Sequence, residues 1–105
     1  GGKWDTIFTA LASRYRRQLL VALLEHNPQD YHDVDPLDTV TYSEAESEQL
    51  QVDLLHMHLP KLDELNYIDW DEGTGDISKW PQFDEIAPLL KLIDDHKDEL
   101  PDGWL

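Results

Sequence analysis

Cysteine is missing from all 105 residues. That excludes a disulfide framework, a thiolate metal site and a catalytic thiol, and leaves nothing that argues for export. Long hydrophobic runs are missing too. None approaches the roughly 20 apolar residues of a membrane-spanning helix, and the opening GGKWDTIF has no signal-peptide core. There is no glycine-rich phosphate loop and no nucleophile motif, so neither an enzyme nor a cofactor is expected. A cytoplasmic protein without catalytic machinery is the expectation.

Positive charge is scarce as well. Five Lys and three Arg stand against fifteen Asp and eight Glu, a formal charge of −15. Acid on this scale opposes compaction by self-repulsion, which dense salt screens within a few ångströms. The acids are spread along the whole chain and Asp outnumbers Glu, a pattern that fits a salt-rich, halophilic cytoplasm. An acidic surface shaped for a basic partner, or one that mimics nucleic acid, fits the same charge. With 40% of residues hydrophobic, ten of them aromatic, the chain can build one core, and residues 1–105 read as one domain.

What is present is organised around Ser47–Trp80, SEQLQVDLLHMHLPKLDELNYIDWDEGTGDISKW. Leu55, Leu59, Leu62 and Leu65 are spaced to line one face of a helix over about 47–65. Ser43 and Glu46 have capping-box spacing at its start. Pro60 sits inside and removes the bond to the His56 carbonyl, which predicts a kink or local loosening. After Asn66, Tyr67-Ile68-Asp69-Trp70 and Ile77-Ser78-Lys79-Trp80 read as two short strands, with Gly73-Thr74-Gly75 supplying the positive φ of a turn. This hairpin spans about 67–80.

Before it, Asp5 or Thr6 is placed to cap a short helix with apolar Ile7, Phe8, Leu11 and Ala12. Ser13 opens a second helix, Arg14 to His26, with a stripe of Tyr15, Leu19, Leu20, Leu23 and Leu24, ended by Asn27-Pro28. Asp30 to Ser43 is a polar connector with a weak helical signal near Pro36-Leu37-Asp38. After the hairpin a last helix covers about 84–99, with Pro88 tolerated in its first turn, and Trp104 packs back onto the fold. The order is helix, helix, connector, long helix, hairpin, helix. That is an α+β, mostly helical winged helix-turn-helix with an added C-terminal helix.

Two segments carry a family resemblance. His58-Leu59-Pro60-Lys61-Leu62 followed by Tyr67-Ile68 resembles the recognition-helix-to-wing segment of ArsR-type regulators. LASRYRRQLLVALLEHNP is similar to the opening helices of that family. The whole chain looks like small haloarchaeal winged-helix proteins of poorly defined function, many of which end in a similar Asp-Glu-Leu-Pro-Asp segment. The resemblance implies an archaeal transcriptional regulator that binds double-stranded DNA. Two departures are visible in the residues: Pro60 stands where the helix normally continues, and no support helix is evident in the connector.

Mapped on the His58-Leu59 anchor, Gln51, Asp53, His56 and Met57 form the base-reading face. Glu44, Glu46 and Glu48 beside it repel phosphate. Backbone contacts would fall to Arg14, Arg16 and Arg17, the one basic cluster, and to Lys61, Thr74 and Lys79. The arginines would alternatively pair with Asp30, Asp33 or Asp35. Ile86, Leu89, Leu90 and Ile93 form a stripe suited to a homodimer interface, or to closing the chain's own core. His56 and His58 lie roughly 200° apart round a helix, so they cannot share a metal ion, and His58 reads as a partly buried structural residue. The rival to DNA binding is a protein-interaction module that uses the acidic helix and wing.

Overall fold

The computed structural model describes residues 2–25, 40–75 and 77–105. They form an α+β, mostly helical arrangement with one two-stranded antiparallel sheet. Helix α1 (Lys3–Ala10) and α2 (Arg14–Glu25) come first. A 3₁₀ turn at Glu44–Glu46 leads into α3 (Ser47–Asp53), a π-helical turn at Leu54–His58 and α4 (Leu59–Glu64) without a break. Strands β1 (Ile68–Trp70) and β2 (Ile77–Lys79) follow, then α5 (Phe83–Asp95) and a 3₁₀ turn at Lys97–Glu99. No helix among the described residues is long and apolar enough to cross a membrane.

The capping box at Ser43 forms. Its backbone N–H and its hydroxyl both donate to Glu46 Oε1, at 3.3 and 2.8 Å. The Tyr15 hydroxyl donates to the other oxygen of Glu46 at 2.7 Å, which ties the start of the long helical segment to α2. These hydrogen bonds, Tyr15 first, hold the Glu46 carboxyl below its usual range.

The loosening expected at Pro60 takes the form of the π turn. Leu50, Leu54, Leu59 and Leu62 are the buried stripe, whereas Leu55, expected in it, is 49% exposed. Leu54 and Leu59 are five apart, one too many for an α turn. The wide turn absorbs the extra residue, with the Leu59 N–H donating to the Leu54 carbonyl. Helix α4 then restarts with Pro60 in its first turn, where a missing N–H costs little. The same turn rotates His58 inward.

Asn66 ends α4 in the left-handed region, at φ 67°. The Tyr67 N–H donates to Leu62 O at 3.1 Å and the Asn66 N–H to Asp63 O at 2.9 Å, the paired bonds of a Schellman motif. Both Leu62 and Tyr67 are buried beside them. The chain therefore leaves α4 in a fixed direction and enters β1. The register pairs Ile68 with Lys79 and Trp70 with Ile77, and Ile68 and Ile77 bury on one face. Gly75 takes φ 82° at the turn, as expected of that glycine-containing segment. Asp71 Oδ1 accepts the N–H groups of Gly73 and Thr74, and Asp71 O accepts that of Gly75.

Leu19, Leu20 and Leu23 of α2, the leucine stripe, Tyr67, both hairpin isoleucines and Phe83, Ile86 and Leu90 of α5 share one core. Several expectations need correction. Helix α1 begins at Lys3, so Asp5 lies inside its first turn rather than capping it, favourably placed for the helix dipole. Phe8, expected to be buried, is 62% exposed and stacks on Trp4 along the outer side of α1, and Ala10 takes its place in the core. Helix α5 stops at Asp95, and Pro88 lies beyond the first turn. The carbonyl it orphans belongs to Asp84, an exposed residue, where a lost donor costs little. The connector reading at Pro36-Leu37-Asp38, with Asp30, Asp33, Asp35, His26 and His32, lies outside the described residues. Val40 is buried, and the Thr41 N–H donates to Gln18 Oε1 at 3.0 Å.

Candidate functional site

The three arginines do not lie together on the surface. Arg16 is only 9% exposed. Its Nε and Nη2 donate to Ala10 O and Thr9 O at 3.1 and 3.0 Å, and its Nη1 to His58 Nδ1 at 3.0 Å. Arg17 Nη1 donates to Leu11 O and its Nε to Trp104 O, both at 2.8 Å, with the guanidinium 4.4 Å from the Trp104 ring centre. Arg14 Nη2 donates to Leu105 O at 3.2 Å. The carbonyls of Thr9, Ala10 and Leu11 belong to the C-terminal end of α1, which carries negative dipole charge, and Thr9 O also accepts the Ala12 N–H at 3.3 Å. Two guanidinium groups cap that end. Burial, then the neighbouring arginine, lowers the pKa of Arg16 and of Arg17, but each guanidinium keeps its charge. Arg16 is thereby withdrawn from phosphate, and this corrects its assignment as a backbone contact. The acceptors are backbone carbonyls, so no side-chain pattern in the sequence marks this role.

His58 is 4% exposed and tilted against the Tyr15 ring. Arginine only donates, so Nδ1 is the acceptor and the proton sits on Nε2. Burial, then the Arg16 charge, lowers its pKa, and Asp53 pulls the other way.

The outer side of the long segment presents Gln51, Val52, Leu55, His56 and Met57 to solvent. Three of the four expected base readers thus share an exposed face. The fourth, Asp53, is half-buried and accepts from Gln49 Nε2 at 2.9 Å. Val52 and Leu55 were not among the expected site residues, because Leu55 was assigned to the core. Lys61 on α4 is half-buried. Lys79 on β2 is half-buried too, with its ammonium 5.3 Å from the Phe83 ring centre. Thr74 is exposed at the tip of the hairpin, between Asp71 and Gly75.

Between this helical face and the hairpin lies an open groove of about 610 Å³, lined by Leu55, His56, Pro60, Asp63, Glu64, Trp70 and Glu72. Its walls are joined where the Trp70 N–H donates to Asp63 Oδ2 at 3.2 Å. Among the described residues no three His, Asp or Glu side chains converge on a metal position.

The stripe assigned to a second subunit is divided. Ile86 and Leu90 are fully buried in the chain's own core, which corrects their assignment, while Leu89 and Ile93 are half-buried against it. Leu92 on the same helix is exposed, as are Trp4 and Phe8 on α1.

The elements and the exposed face define a small α+β domain whose long helical segment and hairpin flank one open groove. The chain belongs to the family described as Domain of unknown function (DUF7344), which matches residues 8–78, from α1 through the second strand. No curated protein and no solved structure matches it.

Proposed function

We propose that this chain is a winged helix-turn-helix protein that binds double-stranded DNA in transcriptional control, from a halophilic archaeal cytoplasm. The long segment 47–64 is the recognition element and the β1–β2 hairpin is the wing. The segment on which this reading expects a support helix lies outside the described residues. The observation that carries the reading is the face of Gln51, Leu55, His56 and Met57, held out from the core beside the hairpin. Gln51 suits adenine, His56 suits guanine or a phosphate, and the apolar side chains suit thymine methyl groups. With Arg16 and Arg17 bound to internal carbonyls, phosphate contact falls to Arg14, Lys61 and Lys79. At high salt the counterion-release gain is small in any case.

Dimerisation belongs to the same proposal, with Trp4, Phe8 and Leu92 replacing Ile86 and Leu90 as the paired surface. Fluorescence anisotropy on a randomised duplex pool, then on enriched sequences, at ~2 M KCl and at lower salt, tests the reading. Enrichment of a two-fold symmetric site supports it, and Gln51→Ala should then relax base preference at one position by about 1–3 kcal/mol. Absence of enrichment wherever the fold is intact overturns it.

A second reading, a protein-docking module on the same fold, is favoured by one observation. The groove beside the helix is rimmed by Asp63, Glu64 and Glu72, which repel a phosphate backbone.

A further inference from the structure

The groove combines an apolar floor with an acidic rim, and that combination selects a kind of partner. Leu55, Pro60 and Trp70 supply aliphatic and aromatic surface, while Asp63 and Glu64 from α4 and Glu72 from the hairpin turn supply three carboxylates around it. The walls are set before any partner arrives, by the Schellman bonds at Asn66 and by the Trp70 N–H to Asp63 bond. A preformed groove requires less ordering on binding than a surface that must assemble.

We infer that this groove docks a short basic segment of another protein. One apolar side chain of that segment sits on Leu55 and Trp70, and its Lys or Arg side chains meet Glu64, Glu72 and Asp63. The inference deepens the protein-docking reading and rests on it. A second copy of this chain offers no such segment, because its five lysines are scattered and two of its three arginines are held on its own carbonyls. Nucleic acid meets the rim with like charge as well. A segment with cations flanking an apolar anchor matches both parts of the groove, and ion pairs in direct contact are shorter than most of the screening length at moderate salt. An arginine in such a segment can also stack on the Trp70 ring.

The test is anisotropy of a labelled peptide of alternating leucine and arginine, at the lowest salt at which circular dichroism shows the fold intact. Peptides of alternating leucine and glutamate, and of alternating serine and arginine, serve as comparisons. Binding of the leucine–arginine peptide should weaken about tenfold in Leu55→Ser and about tenfold in the double variant Glu64→Gln/Glu72→Gln, roughly 1.4 kcal/mol each. The variant Glu44→Gln/Glu48→Gln removes the same charge elsewhere and should leave binding unchanged. All five positions are exposed, so the fold should tolerate these changes. Equal weakening by the two double variants, or equal binding of the serine–arginine peptide, would mean attraction to net charge alone and would overturn the inference. Binding of the leucine–glutamate peptide that depends on Leu55 would overturn the basic partner but leave the docking reading standing. If none of the peptides binds, both fall.

Discussion

Arg16 and His58, 42 residues apart in sequence, meet in the interior with Nη1 3.0 Å from Nδ1. The bond exists only while the imidazole is neutral, since protonation of Nδ1 would set two cations against each other without water. In the unfolded chain His58 titrates near 6.5, and in the fold its pKa is lower, because of burial and then Arg16. Between those two values the unfolded state binds the extra proton, so stability rises with pH across that interval. The contribution is complete above about pH 6.5 and is lost progressively as pH falls below it. Urea unfolding of the native protein and of His58→Gln, measured from pH 8 downwards, should show the native protein losing more stability on acidification. Equal pH slopes for the two would remove His58 as the cause.

Replacing Arg16 by alanine should be costly. It leaves the Ala10 carbonyl and His58 Nδ1 without their donor in a buried place, and the half-buried Thr9 carbonyl with the Ala12 N–H alone. Each orphaned group costs about 1–3 kcal/mol, and partial rescue by water brings the expected total to about 3 kcal/mol. Arg16→Lys should recover only part of this, because one ammonium cannot span three acceptors held in a fork. The comparison is made by denaturant midpoint. A loss below about 0.5 kcal/mol for Arg16→Ala, the range of ordinary surface changes, would show that the arginine is not the cap the geometry makes it.

Asn66 holds a backbone conformation that side chains with a Cβ rarely adopt. Asn66→Gly should preserve stability or raise it slightly. Asn66→Ala should cost about 1 kcal/mol, because the left-handed region is strained for alanine and the asparagine amide is lost. The effect should extend to the groove, since this residue sets the angle at which the hairpin leaves α4. Thermal unfolding of the two variants separates the outcomes, and equal melting temperatures for alanine and glycine would show that the turn relaxes to another conformation.

The local signals were strong enough to read from the residues. Ser43 and Glu46, Gly75 at the hairpin turn and the leucine run of α2 each act over a few positions, and each appears where expected. Pro60 marks the disturbance in the sequence but not its form, because an α-helical period cannot anticipate a five-residue step between Leu54 and Leu59. That step put Leu55 on the outside. It also turned His58 in, towards an arginine whose role depends on contact across α1, α2 and the long segment. The arginine cluster was misread for the same reason: its acceptors are backbone carbonyls, which no side-chain pattern displays. The division of the stripe, with Ile86 and Leu90 buried and Leu89 and Ile93 half-buried, follows the packing of α5 on α2, and a hydrophobic stripe alone does not say whether its partner is the same chain or another.

Salt should stabilise the fold. The chain carries −15, and its cations are bound up in places: Arg16 and Arg17 on carbonyls, and Lys3 beside Glu85 at 3.6 Å. Exposed carboxylates such as Glu44, Glu48, Asp69, Asp71 and Glu72 therefore repel one another across water. Raising KCl from ~0.1 M to ~1 M shortens the screening length from about 10 Å to about 3 Å, which removes most of that repulsion. The melting temperature should climb steeply over this range and then flatten. Sodium sulfate would also strengthen apolar burial, so the comparison that isolates charge is KCl against sucrose, which strengthens burial without screening. A melting temperature independent of KCl, with sucrose stabilising as usual, would show that the acidic surface imposes no net repulsion and would remove the main support for a salt-adapted protein.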